Sequence, residues 1–414
     1  MPTNLVAFLG LIVMLLIAWA LSNNRRLIPW RTVVMGTALQ FIFALLILKT
    51  AAGRAVFQVA TDVVTRFLDF SDAGAQFVFG DQFREHFFAF KVLSTILFFS
   101  SFITVLYYLG VLQKVVKGFA WLMMRLLGTS GAESLSASAN IFVGQTEAPL
   151  LIRPYVGTMT NSELMAVMTG GFATIAGGVL AAYVGMGVPA GHLIAASVMS
   201  APAALVMAKI MFPETEQSLT AGEVRVSVEK PWVNVIDAAA EGASAGMKLV
   251  LNVAAMLIAF LALIALLNAL LIQVGQGINW ALHGIGYRLT PDQLTLEWLF
   301  GWALRPLAWL MGVPWQEADD VGTLLGIKTV LNEFVGYVKM EEMVKAGQLS
   351  ERSVAIATYA LCGFSNFSSI AIQIGGIGGI APERKGDLAR LGVRAMIAGS
   401  LACFQTATIA GMLL

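Results

Sequence analysis

Polarity along this chain comes in long blocks. Residues 5–21 and 32–48 are apolar runs of bilayer-spanning length, separated by a loop that carries Arg25, Arg26 and Arg31. About 20 mostly apolar residues make a spanning helix, and a basic loop marks the cytoplasmic side. The first run is therefore predicted to start outside and the second to return there. No Lys or Arg precedes the first run, the reverse of a signal peptide's charge order, so it is read as a retained helix. Residues 55–85 mix Asp62, Arg66, Asp69, Asp72 and Asp81 with Val, Phe and Leu. Too charged to span, they predict an amphipathic helix at the interface. Residues 89–112 span again and end near Lys114, Lys117 and Arg125.

The next block breaks the pattern. Residues 134–151 are apolar enough to enter a membrane. Yet Asn140-Ile-Phe-Val-Gly-Gln-Thr-Glu-Ala-Pro149 sets an amide, a hydroxyl and a carboxylate between Gly144 and Pro149. Gly admits positive φ, and Pro disfavours helix just before it. A carboxylate at the bilayer centre costs about 2.5–3.5 kcal/mol on insertion scales. That cost is carried where the group lines a water-filled cavity or meets a polar ligand. With Arg153 close behind, the segment is read as a re-entrant hairpin that returns to the cytoplasmic side. Residues 164–188 then cross with a Gly-rich centre at 169–178, the mark of a discontinuous helix, and residues 193–211 come back. Residues 213–232 form a polar linker and residues 247–272 a long span. The small-residue run 238–246 either extends that span or packs against a neighbour. Within residues 275–347, amphipathic pieces such as 294–310 precede a second polar break, Asn332-Glu333, among apolar residues. Residues 353–374 carry the polar centre Cys362-Gly-Phe-Ser-Asn-Phe-Ser-Ser-Ile370. A basic loop with Arg384, Lys385, Arg390 and Arg394 leads to a last span, 395–414, that ends outside.

Gln145 and Glu147 before the broken span at Gly171-Phe-Ala-Thr-Ile175 are matched by Asn332 and Glu333 before Gly363-Phe-Ser-Asn-Phe367. One pair enters from the cytoplasm and the other from outside. Inverted repeats with polar breaks in corresponding positions point to a transporter binding site near the midplane. Composition agrees. Hydrophobic residues are 58% and charged residues 12%, against about 25% charged in soluble domains, and mean hydropathy is +0.78. The fold class is an all-α polytopic membrane protein. A net charge of +1 gives no field that favours nucleic acid. Cys362 and Cys403 lie in apolar runs and read as buried core residues, and three histidines without ligand spacing give no zinc signal. The Gly-rich residues 375–379 lack the Lys-Ser/Thr of a phosphate loop and read as helix packing.

Four polar groups converge in this reading: Gln145-Thr146-Glu147, Thr174, Asn332-Glu333, and Asn366 with Ser368-Ser369. The set suits a neutral polyhydroxylated or heterocyclic solute. A carboxylate accepts from a pair of sugar hydroxyls, while Gln and Asn donate and accept at once, as a base edge requires. Phe364 and Phe367 offer faces to an aromatic ring. Lys328 is the nearest cation to a cluster otherwise free of Lys and Arg, which argues against anionic substrates. Asn140, Thr174 and unwound carbonyls offer oxygens to a hard cation. Plainer roles stand beside these: Glu147 paired inside a bundle, Glu333 bridged to Lys328, Asn366 and the serines bonding across helices, Asn140 and Thr174 capping broken helices. A channel would use similar breaks. A membrane enzyme would need a second acidic motif beside Asp319-Asp320.

The segments Gly144-Gln-Thr-Glu-Ala-Pro149, Asn332-Glu-Phe-Val335 and Cys362-Gly-Phe-Ser-Asn-Phe-Ser-Ser369 resemble the signature segments of the concentrative nucleoside transporter family, most of all its bacterial, sodium-coupled members. The resemblance covers nearly the whole chain. It implies a secondary active transporter, not an enzyme, that imports uridine-like nucleosides by sodium symport and needs no cofactor. It implies about eight transmembrane helices, two re-entrant hairpins and broken fourth and seventh helices. It implies a homotrimer in the bacterial inner membrane, both termini outside, with a transport domain that moves against a scaffold like an elevator. On that division, residues 1–88 hold the N-terminal helices and interfacial helix, and 89–127 a scaffold helix and interfacial helix. Residues 128–212 form the first transport repeat, 213–275 the linker and a scaffold helix, and 276–414 the second repeat. The resemblance places Gln145, Thr146, Glu147 and Val179 at the nucleobase, Glu333, Asn366 and Ser369 at the ribose, and Phe364 along the wall. It assigns sodium to Asn140 and Thr174 with the backbone carbonyls of Val143 and Ile175. Thr174 stands where related members have Ser and keeps the hydroxyl. Proton-coupled relatives lack an Asn at the position of Asn140, so its presence favours sodium over a proton.

Overall fold

The computed structural model describes residues 2–84, 90–91, 93–221, 232–283 and 294–414, and every regular element among them is helical. The two N-terminal apolar runs form α1 (Thr3–Ala20) and α2 (Trp30–Lys49). Each buries one side and leaves large apolar residues such as Leu16 and Leu46 exposed on the other. The charged stretch that follows makes two helices rather than one, α3 (Ala51–Asp69) and α4 (Ser71–Phe79). Thr50 caps the first, its hydroxyl accepting from Gly53 N at 2.8 Å, and Glu85, where the expected helix ends, lies outside the described residues. Next come α5 (Leu93–Leu109) and α6 (Val111–Leu127), which meet at a 77° bend. Gly110 makes that bend with φ +79°, a conformation glycine adopts without steric cost.

The first hairpin is α7 (Gly131–Ala139), an irregular turn, a 3-10 turn (Ala148–Ile152) and α8 (Arg153–Val156). A broken helix follows, α9 (Asn161–Ala173) and α10 (Gly177–Gly185), then the continuous α11 (Ala190–Met211). Both α7 and α9 begin with a reciprocal capping box, Ser130 with Glu133 and Thr160 with Glu163, which satisfies the first free N–H groups of each helix. Lys209, near the end of α11, joins the two starts. Its Nζ lies 2.7 Å from Glu133 Oε2 and donates to Ser162 Oγ at 2.9 Å.

The long span is longer than its sequence suggests: α12 (Val235–His283) has 49 residues. The small-residue run at its start does both things expected of it. It extends the helix and brings it against α5, where a Cβ on Gly242 would fall 2.6 Å from Thr104 Oγ1. Elsewhere α12 exposes Leu251, Ile258, Leu266 and Trp280.

The second half repeats the order of the first. After α13 (Leu296–Leu310), α14 (Ala318–Val330) turns at Leu331 and Asn332 into α15 (Glu333–Lys345), a second hairpin. A second broken helix, α16 (Glu351–Leu361) and α17 (Phe367–Ile380), precedes the continuous α18 (Lys385–Leu413). Arg384 fastens the two halves. It donates to Gly157 O at 3.2 Å and Met159 O at 2.6 Å, where the first hairpin leaves for α9, and pairs with Asp387 at 2.9 Å. Among the described residues, six helical stretches are long and apolar enough to cross a membrane. Counting the bent pair α5–α6 as one span makes seven, and α17 is a shorter apolar helix of 14 residues, against about eight expected.

Candidate functional site

A helix broken in apolar surroundings frees carbonyls and N–H groups that lipid cannot satisfy. Here the two breaks satisfy each other. Phe364 N donates to Thr174 O at 3.3 Å and Ser365 Oγ to Phe172 O at 2.7 Å. Cys403 of α18 sits at the crossing, its thiol 3.2 Å from Cys362 O and 3.5 Å from Ala173 O. Both cysteines are buried and free. Gly363 permits the approach, since a Cβ there would stand 2.6 Å from Cys403 Sγ and 2.7 Å from Phe172 O.

Two helices start beside this crossing, each with an asparagine cap. Asn332 Oδ1 accepts from Val335 N at 2.9 Å, and Asn366 Oδ1 accepts from Ser369 N at 2.9 Å and Ser368 Oγ at 2.7 Å. Glu333 is the first residue of α15, where the helix dipole favours a negative charge. Its buried carboxylate accepts Tyr183 OH on Oε1 at 2.9 Å and Asn366 Nδ2 on Oε2 at 3.1 Å. Hydrogen bonds to an ionised group are roughly twice as strong as neutral ones, so these donors stabilise the acid without an ion pair. Lys328, offered by the sequence as its bridge partner, is engaged elsewhere. Its Nζ donates to Ala360 O at 2.8 Å and so caps a carbonyl in the last turn of α16, where a cation meets the negative helix end.

The turn of the first hairpin reaches the same helix start from the other side. Gln145 Nε2 donates to Ser369 Oγ at 3.2 Å, and Gln145 Oε1 accepts from Gln373 Nε2 at 3.0 Å. Thr146 packs on α17 at Gly376, where a Cβ would lie 2.8 Å from its methyl. Gly378 packs in the same way on Lys385, whose Cγ a Cβ would meet at 2.6 Å, whereas Gly375 and Gly379 have nothing within 4 Å, so the expected helix packing holds for two of these four glycines. One chain of hydrogen bonds now joins Gln145, Ser369, Asn366, Glu333 and Tyr183, taking in both hairpins and both broken helices. Phe364 lies half-buried at the break, and Val179 is buried in the first turn of α10. Glu147 stays outside this chain. It is exposed, and its carboxylate turns back over Gly144, where a Cβ would fall 2.3 Å from Oε2.

Asn140 and Thr174 do cap α7 and α9. Asn140 Nδ2 donates to Ser136 O at 3.1 Å and Thr174 Oγ1 to Gly170 O at 2.9 Å. Capping uses only the donors, however. Asn140 Oδ1 is left buried without a partner, and no donor among the described residues reaches the carbonyl of Val143 or Ile175. These groups flank one seam. A Cβ on Gly170 would lie 3.2 Å from the Asn140 amide, and Gly177 N donates to Phe142 O at 3.3 Å. Buried acceptors without donors are costly, and neutral oxygens of this kind suit a hard cation. Among the described residues, no cluster of three or more His, Cys, Asp or Glu forms a metal centre.

Sequence reasoning did not find Tyr183 or Gln373. Gln373 did carry a signal, as the one amide of α17. Tyr183, the one phenol of α10, looks like any core aromatic until its hydroxyl is seen on Glu333.

Comparison with known proteins agrees with this geometry from end to end. The chain matches family models described as Na+ dependent nucleoside transporter N-terminus over residues 9–82, nucleoside recognition (Gate) over 89–190, and Na+ dependent nucleoside transporter C-terminus over 192–411. It is 51% identical to an uncharacterized transporter of Haemophilus influenzae, over 99% of this chain and 97% of that one. It is 46% identical to solute carrier family 28 member 3 of Eptatretus stoutii and 43% identical to sodium/nucleoside cotransporter 1 of Mus musculus, over 99% and 100% of this chain. It spans only 60% and 64% of those two animal relatives. Among solved structures, it resembles CNTnw in an inward-facing substrate-bound state, with a TM-score of 0.90 and 44% identity over 99% of this chain and 98% of that one. A doubly substituted CNTnw in an outward-facing state gives 0.91 and 44% over 99% and 97%. With its crossed helix breaks, its buried Glu333 and family matches that run from residue 9 to residue 411, this chain belongs to the Na+ dependent nucleoside transporter family.

Proposed function

We propose that this protein is a secondary active transporter that imports nucleosides by sodium symport. The observation that carries the reading is the hydrogen-bonded chain from Gln145 through Ser369 and Asn366 to Glu333 and Tyr183. It brings base-reading amides and a hydroxyl-gripping carboxylate into one neighbourhood. An ionised carboxylate only accepts, so Glu333 suits a pair of ribose hydroxyls, with Asn366 and Ser369 beside it. Gln145, Thr146, Glu147 and Val179 then meet the base and Phe364 lines the site. The exposed Glu147, whose carboxylate lies over its own turn, would take a base donor.

Sodium fits the second cluster. Asn140 Oδ1, the Thr174 hydroxyl oxygen and the carbonyls of Val143 and Ile175 would hold it between the first hairpin and the break of α9–α10. The ion supplies positive charge to acceptors that lack donors. Coupling follows from chain connectivity: Asn140 and Gln145 bound a single turn. An ion that orders Asn140 and Val143 lowers the cost of ordering Gln145 for the base, and by linkage the base favours the ion equally.

In this reading the two hairpins are re-entrant, both termini lie outside, and the membrane is the bacterial inner membrane. Residues 128–212 and 276–414 form a transport body that moves, elevator-like, against a scaffold of residues 89–127 and 213–275. The exposed apolar face of α12 packs in a homotrimer. The names of the relatives support the solute and the ion, and the inward- and outward-facing forms of CNTnw support alternating access. Uptake of tritiated uridine into proteoliposomes tests the reading. An inward sodium gradient is expected to drive accumulation above the bath concentration. Equal accumulation in sodium-free, acid-outside buffer would replace sodium by the proton, and flux without accumulation would make the protein a channel.

A further inference from the structure

We infer that Gln373 fixes which end of the Gln145 amide faces the nucleobase, and is therefore a positioning residue for base selectivity. The inference rests on the transport reading, which takes Gln145 as a base contact. A glutamine amide has a donor end and an acceptor end of nearly the same shape, and a half-turn exchanges them. Here a backbone carbonyl removes the ambiguity. Gln373, buried in α17, donates from Nε2 to Met168 O of α9 at 3.1 Å. A carbonyl only accepts, so the NH2 of Gln373 must face it. The second N–H of that group donates to Gln145 Oε1 at 3.0 Å. The oxygen of Gln145 is thereby committed to Gln373, and its NH2 points to Ser369 Oγ at 3.2 Å. A flipped Gln145 would set two NH2 groups against each other.

Two further observations agree. Gly171 of α9 makes room for the pair, since a Cβ there would lie 2.8 Å from Gln373 Nε2 and 2.9 Å from Gln145 Cβ. Gln373 Oε1 is buried without a partner, a costly arrangement for a residue that serves stability alone. What the side chain contributes is its NH2. Gln145 is thus a fixed donor, and the base edge that fits it carries an acceptor, a ring nitrogen or a carbonyl.

Uptake kinetics in proteoliposomes test this with nucleosides that lose one base acceptor at a time: 3-deazacytidine against cytidine, and 3-deaza- and 7-deazaadenosine against adenosine. The wild type is expected to show about a fivefold higher KM for at least one acceptor-deleted analogue, the size of one lost hydrogen bond. In Gln373→Leu that ratio is expected to fall to within about twofold of one, while discrimination against 2′-deoxynucleosides persists because the ribose end is untouched. Gln373→Glu keeps the shape and serves if the leucine variant does not fold. Its protonated carboxyl would donate to Met168 O and accept from Gln145, which reverses the Gln145 amide and abolishes or inverts the same ratio. In Gln145→Glu, with Gln373 intact, the ratio should also vanish. Wild-type ratios in the Gln373 variants, or no acceptor dependence in a wild type that does transport nucleosides, would overturn the inference and leave the transport reading standing. A wild type that moves no nucleoside would remove the transport reading itself.

Discussion

Glu333→Gln changes one atom and one charge at the centre of the site. The amide can keep Asn366 Nδ2 on its oxygen, now 3.1 Å from the carboxylate, and turn its NH2 to Tyr183, whose hydroxyl rotates from donating at 2.9 Å to accepting. The network therefore still closes, and the fold is expected to survive. Hydrogen bonds to a charged group contribute about 1.5–3 kcal/mol each and neutral ones about 1 kcal/mol. Two weakened bonds cost about 1–4 kcal/mol of stability, and the lost charge at the start of α15 about 0.3–1 kcal/mol more. The larger effect falls on substrate. Two ribose hydroxyls that each lose about 1 kcal/mol give about 2 kcal/mol in all, roughly a 30-fold rise in KM for uridine. Initial uptake rates of tritiated uridine read that number directly. The diagnostic comparison uses 2′-deoxyuridine: its handicap in the wild type should shrink in the variant, since one interaction cannot be lost twice. A uridine KM within twofold of wild type, or an undiminished 2′-deoxy handicap, would refute the ribose role of Glu333. Glu333→Ala serves as contrast. It strands Tyr183 OH and the Asn366 amide, at about 1–3 kcal/mol each, and should lose thermal stability as well as uptake.

Further expectations follow from single contacts. Asn140→Leu removes a buried amide oxygen without a donor at the seam proposed for sodium, and should raise the sodium concentration for half-maximal uptake at least about tenfold, as losing a ligand worth ~1.4 kcal/mol requires; an unchanged sodium dependence contradicts the ion assignment. Gly363→Ala drives a Cβ to within 2.7 Å of Phe172 O and should cost about 1–3 kcal/mol, read as a lower melting temperature in detergent; an unchanged melt would mean the crossing of the breaks is looser than described. Lys328→Met strands Ala360 O and should destabilise by about 1–3 kcal/mol, with no effect expected if the lysine were idle. Arg384→Ala releases the carbonyls of Gly157 and Met159 and should speed hydrogen exchange across residues 157–160; protection equal to wild type would argue against the clamp.

What the sequence reveals here, it reveals through cost. Gln145, Asn332, Glu333 and Asn366 stand out because polar groups in apolar runs are expensive and need a reason. Their places in two hairpins and two broken helices were legible for that reason. Direction was not. Gln145 and Glu147 are two residues apart in an irregular turn with no helical period, so nothing in their spacing shows that one joins the network while the other turns back over Gly144. Pairing was not legible either. Lys328 and Glu333 suggest a bridge in sequence, but the lysine goes to the end of α16 and the acid takes Tyr183, which lies 150 residues away. The extent of α12 was hidden by Gly242 and Gly246, which weaken a helix in isolation but let it close on α5 once packed. The division of the charged stretch into α3 and α4 falls at Asp69-Phe-Ser-Asp-Ala-Gly74, a short cluster of turn-forming residues inside an otherwise amphipathic pattern.

The central claim is that both hairpins and both broken helices build one nucleoside site, with the ribose on Glu333 and the base on Gln145. The most direct test is a structure determined with uridine and sodium bound. The account expects ribose hydroxyls within about 3.2 Å of the Glu333 carboxylate and the base edge within the same reach of Gln145. A nucleoside seated away from Glu333, or held by one hairpin alone, would contradict it.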